Sequence, residues 1–334
     1  MLQPGSTWAG AGERVRFLVS SDEDPLADDG PDVVRNLCRQ PKKISSVYVY
    51  DAVGTAAFEE QCRTPEYYLR RAETLLLKEH ARDIVELSAF PSIVELGAGS
   101  AEKTRILMAQ YDELGLRCDY FPIDVDTETL RGAAVDLTAM FPRLVVHCLG
   151  TTYEAALRAL PERSSHRLFL FLGGSIGNME AGEIDALLTN LFAASRRGDY
   201  LLLGADLDKD PAIIDRAYND AAGWGARSTL NMLSHLNRRF DGDFRLHQFR
   251  YRSKYDFAAR TNRVHIESLV NQQVTLARLN FTFELRASEL IDAEVMLKFD
   301  PQELDGRLDR SGFQPVCRWI EPSLVYGLFL CRRR

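Results

Sequence analysis

The sequence predicts an α/β fold: a mostly parallel sheet covered on both faces, an antiparallel C-terminal edge pair, and an inserted α+β region. Three observations predict it. Between about residues 73 and 205, short apolar runs alternate with amphipathic helical segments. The pattern then changes to helices and polar-alternating strands such as "VNQQVTLARLNFTFELRA". Two strand-like runs, "FQPVCRWIE" and "LVYGLFLCRRR", close the chain and are expected to return to the first sheet.

The elements follow in order. Residues 1–30, rich in Gly, Ser, Asp and Pro, are expected to form a flexible N-terminal arm. "SIVELG" (92–97), "CDYFPIDV" (118–125), "LVVHCLG" (144–150), "RLFLFLGG" (167–174) and "DYLLLGAD" (199–206) are apolar throughout, as strands buried on both faces are. The segments 101–111, 126–141, 153–160 and 181–196 carry helical spacing. The expected organisation is one domain, 73–205 with 299–334, interrupted by another, 31–72 with 206–298, and a cleft between the two.

Composition narrows the function. The chain has 334 residues, 46% hydrophobic and 27% charged, enough for a core without disulfide staples. Its six cysteines show no C-x-x-C spacing and its six histidines no ligand spacing, so neither zinc nor any other metal is expected. A reducing cytoplasm fits that cysteine usage. No apolar run reaches the length of a membrane span, and the N-terminus lacks the pattern of a signal peptide. A net charge of −7 without a basic tract argues against nucleic acid as the main partner. The expected partner is a small molecule, and the chain is expected to be a monomer or a weak dimer.

"VELGAGSAEKTR" (94–105) carries the first chemical signal. Gly97 and Gly99 end a strand, where backbone can approach a ligand closely. The dinucleotide pattern G-x-G-x-x-G fails at Glu102, which disfavours a pyrophosphate. The next strand ends in Asp124, placed to accept both hydroxyls of a ribose. A nucleoside without pyrophosphate fits these features, and S-adenosylmethionine (SAM) is the commonest such cofactor.

"YDAVGTAAFEEQCRTPEYYLRRAE" (50–73), "ELGAGSAEKTR", "YFPIDVD" (120–126), "FLGGSIGNM" (171–179), "LLGADLDKD" (202–210), "AYNDAAG" (217–223) and "LNRRF" (236–240) occur in order. Together they resemble the histidine-specific, SAM-dependent methyltransferase family, whose best-known member trimethylates the α-amino group of L-histidine. The resemblance covers roughly residues 45–334. It implies a class I SAM-methyltransferase Rossmann-like domain, here 73–205 with 299–334, and a substrate-binding domain, here 31–72 with 206–298. It implies that Gly97, Gly99, Lys103 and Asp124 contact SAM. Thr151 and Thr152 stand where the family usually has an Asp-Phe-like pair beside the adenine. Tyr67, Asn178 and Tyr218 match the positions that hold the amino-acid end of the substrate and serve the reaction. Tyr50 and Phe58 match further pocket positions, and Glu294 the carboxylate that meets the imidazole. Tyr67 adjoins Tyr68, and one of the two is expected merely to pack.

One departure stands out. "AEVMLKF" (293–299) replaces a stretch close to T-E-x-S-x-K-F, so the family's serine is Met296. In histidine enzymes the Glu and Ser together bond the two imidazole nitrogens. A thioether is at best a weak acceptor but packs well on aromatic rings. Losing one ring partner costs roughly 1–3 kcal/mol. Val264 or Ile266 stands near the family's pocket methionine, "RRAE" (70–73) replaces T-R-T-E, and "STLN" (228–231) replaces F-N-x-N. The expectation is SAM-dependent N-methylation of an amino acid with an altered side-chain pocket, tryptophan or another aromatic amino acid being the candidate alongside histidine. The alternative is a non-catalytic SAM-binding or partner-binding relative. A base-directed nucleic-acid methyltransferase is disfavoured, because "GNME" lacks the double proline of its motif.

Overall fold

The computed structural model describes residues 14–17, 29–88, 92–163 and 165–334. They divide into two compact units. One holds Leu69–Leu207 and Phe299–Arg334 with an N-terminal strand; the other holds residues 29–68 and Asp208–Lys298.

The first unit is built on a sheet with eight strands among the described residues. Their order is Val15–Phe17, Leu144–Gly150, Cys118–Asp124, Ser92–Leu96, Leu168–Phe171, Tyr200–Asp206, Tyr326–Arg333 and Phe313–Glu321. All pairings are parallel from the first strand through Tyr200–Asp206. Tyr326–Arg333 then runs antiparallel, and Phe313–Glu321 pairs antiparallel with it at the edge. The α/β class and the C-terminal pair therefore follow the sequence pattern. Ser92–Leu96 is buried along its whole length and has a strand paired on each side. Each such aliphatic side chain contributes roughly 1.5–3 kcal/mol of burial.

Two expectations need correction here. Within the stretch expected to be a flexible arm, Val15–Phe17 is an edge strand pairing in parallel with Val146–Cys148. Val15 and Phe17 are buried, and the Arg14 guanidinium reaches the carbonyls of Thr138 and Phe141. Gly30 already begins the helix Gly30–Leu37. The remainder of the arm, 1–13 and 18–28, lies outside the described residues. The helix expected from 101 starts at Thr104. Gly99 and Ala101 have φ of +50° and +53°, which a right-handed helix does not accept.

The second unit has a four-stranded sheet ordered Lys42–Lys43, Leu290–Leu297, Thr261–Ser268 and Phe249–Asp256, plus the hairpin Gln272–Leu276 and Phe281–Leu285. A bulge between Asp292 and Glu294 shifts the register of Leu290–Leu297. After it, Glu294 pairs with Val264 and Met296 with Asn262. Strand periodicity puts Glu294, Met296 and Lys298 on one face. Trp224–Phe240 is an amphipathic helix whose buried positions include Thr229, Met232, Leu233 and Leu236. Among the described residues no helix is long and apolar enough to cross a membrane.

Candidate active site

In the first unit the glycine turn and Asp124 form one construction. Gly97 has φ +69° and donates its N–H to the Ile123 carbonyl at 2.9 Å. Gly99 donates to Asp124 Oδ2 at 2.9 Å, and the Asp126 N–H reaches Oδ1 at 3.1 Å. Two backbone amides thus aim the carboxylate. Burial pushes the Asp124 carboxyl up, and those amides oppose the shift. A Cβ built on Gly99 would meet nothing within 4 Å, so backbone lies open there. Such a turn beside an oriented acid at a strand end fits the ribose of a nucleoside.

The residues around the turn are spent in different ways. A Cβ at Gly97 would lie 2.8 Å from the Tyr153 hydroxyl, so this phenol lines the turn. Thr151 is buried. Thr152 is exposed and caps the helix Tyr153–Ala159, accepting the Ala155 N–H at 3.4 Å. Lys103 donates to the buried Glu73 at 2.7 Å. Asn178 ends the 3₁₀ turn Ser175–Asn178, which follows Leu168–Phe171 and the left-handed Gly173 and Gly174. It is exposed, and its side-chain amide makes no hydrogen bond among the described residues.

In the second unit four residues singled out from the sequence form one aromatic row. Tyr50 and Phe58 meet edge to face at 6.4 Å, Phe58 and Tyr67 at 5.9 Å, and Tyr67 and Tyr218 at 6.2 Å. Tyr68 is the packing member of its pair: it is buried beneath the Lys209 ammonium, which bonds its hydroxyl at 2.8 Å. The row ends at the buried Lys298, whose Nζ donates to the Tyr218 hydroxyl at 2.8 Å.

Glu294 and Met296 stand on the same sheet face as Lys298. Thr229 donates its hydroxyl proton to Glu294 Oε1 at 2.8 Å. Desolvation pushes the Glu294 carboxyl up, and the Thr229 bond opposes that shift. Met296 is buried, and its sulfur accepts the Asn262 side-chain N–H at 3.8 Å. The other Asn262 amide contacts go to the Ser253 hydroxyl. Val264, not Ile266, is the residue opposite Glu294; Ile266 pairs with Ile291.

A SAM-dependent, histidine-specific methyltransferase family model matches residues 29–333. The chain belongs to that family. It is a SAM-dependent N-methyltransferase. Histidine N-alpha-methyltransferase of Mycolicibacterium smegmatis is 33% identical, covering 90% of this chain and 94% of that protein. The enzyme of the same name from Mycobacterium tuberculosis is 32% identical over the same shares. L-tryptophan methyltransferase trpM of Psilocybe serbica is 24% identical, covering 90% of this chain and 91% of that one.

Beside the residues found by family resemblance, the structure adds others that sequence reasoning missed as site members. Thr229 was visible only as part of the divergent "STLN". Its bond to Glu294 spans 65 residues and depends on the bulge that sets the strand register. Tyr153 follows the Thr-Thr pair directly, a proximity that offered a signal. Glu73 sits in the divergent "RRAE", yet its partners lie 30 to 253 residues away.

Proposed function

We infer that this methyltransferase acts on the α-amino group of an aromatic amino acid whose ring offers an N–H and no acceptor nitrogen, as tryptophan does. The observation that carries the reading is the Glu294–Met296 pair. Glu294 Oε1 is occupied by Thr229, which leaves Oε2 as an acceptor for one ring N–H. Two residues on, a buried thioether already receives an N–H from Asn262 and has no proton to give. A neutral imidazole needs both an acceptor and a donor, so one of its nitrogens goes unpaired here, at a cost of about 1–3 kcal/mol. An indole needs only the acceptor, and its face packs favourably on sulfur. Val264 opposite Glu294 is smaller than the methionine of the family pattern and leaves more room for a larger ring.

The remaining roles are those the family resemblance implies. Gly97, Gly99 and Asp124 hold the nucleoside, with Asp124 on the ribose hydroxyls and Thr151 near the base. Lys103 serves the amino-acid tail of the donor. Tyr67, Tyr218 and Asn178 hold the amino-acid end of the substrate, with Tyr50 and Phe58 completing the aromatic wall. The buried Lys298 occupies a lone pair of the Tyr218 hydroxyl, so that the phenol directs its own proton toward the substrate carboxylate. When bound, SAM supplies an electrophilic methyl group on a sulfonium that leaves as a neutral thioether. The task of the side chains is to align a neutral amine lone pair and to exclude water. Tyr67, buried in the aromatic row, is the hydrogen-bond partner for that amine.

The test is a panel of the proteinogenic amino acids incubated singly with enzyme and SAM, each product weighed by mass spectrometry. Tryptophan is expected to give the highest kcat/KM. Turnover of histidine alone would overturn the reading.

A further inference from the structure

Glu73 lies on the helix Leu69–Ser88 and is fully buried, yet it carries a dense set of donors. Lys103 Nζ reaches Oε2 at 2.7 Å, and the Tyr326 hydroxyl reaches Oε1 at 2.8 Å. The Gly173 N–H spans both oxygens at 2.8 and 2.9 Å. The fold makes room for this group. A Cβ on Gly204 would fall 2.0 Å from Glu73 Oε1 and 2.8 Å from the Tyr326 hydroxyl. A Cβ on Gly173, at φ +83°, would stand 3.0 Å from Lys103 Nζ. Side chains from three separate stretches and two bare glycines therefore converge on one ion pair.

Such a pair is a poor way to gain stability. Burying a carboxylate and an ammonium costs about as much as their attraction returns, and an apolar pair of similar volume serves as well. What the arrangement does provide is direction. Lys103 immediately precedes the helix Thr104–Glu113, beyond the glycine turn, and its side chain is 26% exposed. One of its three N–H groups goes to Glu73, which leaves two with donor capacity. The methionyl tail of SAM ends in a carboxylate, the chemistry that a fixed ammonium recognises.

We propose that Glu73 is a positioning residue: it fixes the Lys103 ammonium so that its remaining N–H groups receive the carboxylate of the methyl donor's tail. Glu73 itself, saturated by three donors, does not touch the donor. This inference rests on the SAM assignment and not on which amino acid is methylated.

The experiment is titration calorimetry with two nucleosides. S-adenosylhomocysteine carries the amino-acid tail, and 5′-methylthioadenosine lacks it. For E73Q and K103M separately, S-adenosylhomocysteine is expected to bind at least about tenfold more weakly, with 5′-methylthioadenosine changed less than about twofold. In E73Q/K103M the loss is expected to match that of K103M alone within about twofold, because Glu73 acts through Lys103. Equal weakening of both nucleosides by E73Q, no weakening of either, or losses that multiply in the double variant would overturn the proposal. Should E73Q not fold, Y326F removes a single bond from Glu73 and is read by the same ratio. A several-fold loss confined to S-adenosylhomocysteine supports the proposal, and an unchanged ratio overturns it.

Discussion

Met296→Ser tests the pocket at its most altered point. Met296 is buried, and its sulfur receives the Asn262 N–H. A serine hydroxyl at 296 also accepts from Asn262 but adds a proton to donate. Histidine then gains a partner for its second ring nitrogen, worth about 1–3 kcal/mol. Tryptophan loses a sulfur–aromatic contact worth about 0.3–1.5 kcal/mol. The two effects add, so the ratio of kcat/KM for histidine over tryptophan is expected to rise at least about tenfold, and more than a hundredfold at the upper end. Removing a buried thioether costs about 2–5 kcal/mol of stability, so the variant is expected to melt at a lower temperature. The assay places both amino acids in one reaction with limiting SAM and measures the two products by mass. A folded Met296→Ser enzyme whose product ratio stays within about twofold of the parent's would refute the reasoning, since differential pairing at the ring is all it invokes.

Four further outcomes follow from the same contacts. Thr229→Val removes a hydroxyl donor to Glu294 and is expected to raise KM for the amino acid by about fivefold to tenfold, with KM for SAM unchanged, in steady-state kinetics. Asp124→Asn forfeits charge-assisted bonding to the ribose and is expected to weaken S-adenosylhomocysteine by about ten- to a hundredfold in calorimetry. Gly204→Ala drives a methyl into Glu73 and is expected to destabilise the fold by about 1–3 kcal/mol or more, read by urea unfolding. Glu95 gives a pH signature. It is buried, bonded by the Thr104 hydroxyl at 2.7 Å and by the Tyr120 hydroxyl, and desolvation pushes it up from the ordinary 4.5 to about 7. The folded chain therefore keeps a proton that the unfolded chain has lost. That contribution is complete below about pH 4.5 and disappears as pH rises through about 7, a loss on the order of 3 kcal/mol. Unfolding free energies measured across this window are expected to show a falling component that Glu95→Gln removes.

The central sheet was readable because its strands are apolar on both faces, and that pattern has few alternatives. Ser92–Leu96, Cys118–Asp124, Leu144–Gly150, Leu168–Phe171 and Tyr200–Asp206 all lie within the runs that predict them. Short edge strands carry no such signal. Val15–Phe17 is three residues of alternating burial in a polar stretch, and Lys42–Lys43 pairs two lysines with Ile291 and Asp292. The start of the helix at Thr104 depended on left-handed backbone at Gly99 and Ala101, and an alanine there advertises nothing. The candidate site divides along the same line. The Gly97–Asp124 turn is local in the β–α–β sense, and its bond spans 25 residues. Thr229 with Glu294, Asn262 with Met296, and Glu73 with Tyr326 are partners chosen by topology and register. Composition and periodicity say nothing about such pairs. The row from Tyr50 to Tyr218 emerged only through family resemblance, because buried tyrosines on helices usually just fill the core.

Substrate choice turns on Glu294 accepting one ring N–H from the substrate. The direct measurement compares kcat/KM for L-tryptophan with that for 1-methyl-L-tryptophan, whose ring nitrogen has no proton. With Glu294 in that role, capping the nitrogen leaves a buried carboxyl without its partner and lowers kcat/KM by at least about tenfold. Equal turnover of the two compounds, or histidine exceeding both, would contradict it.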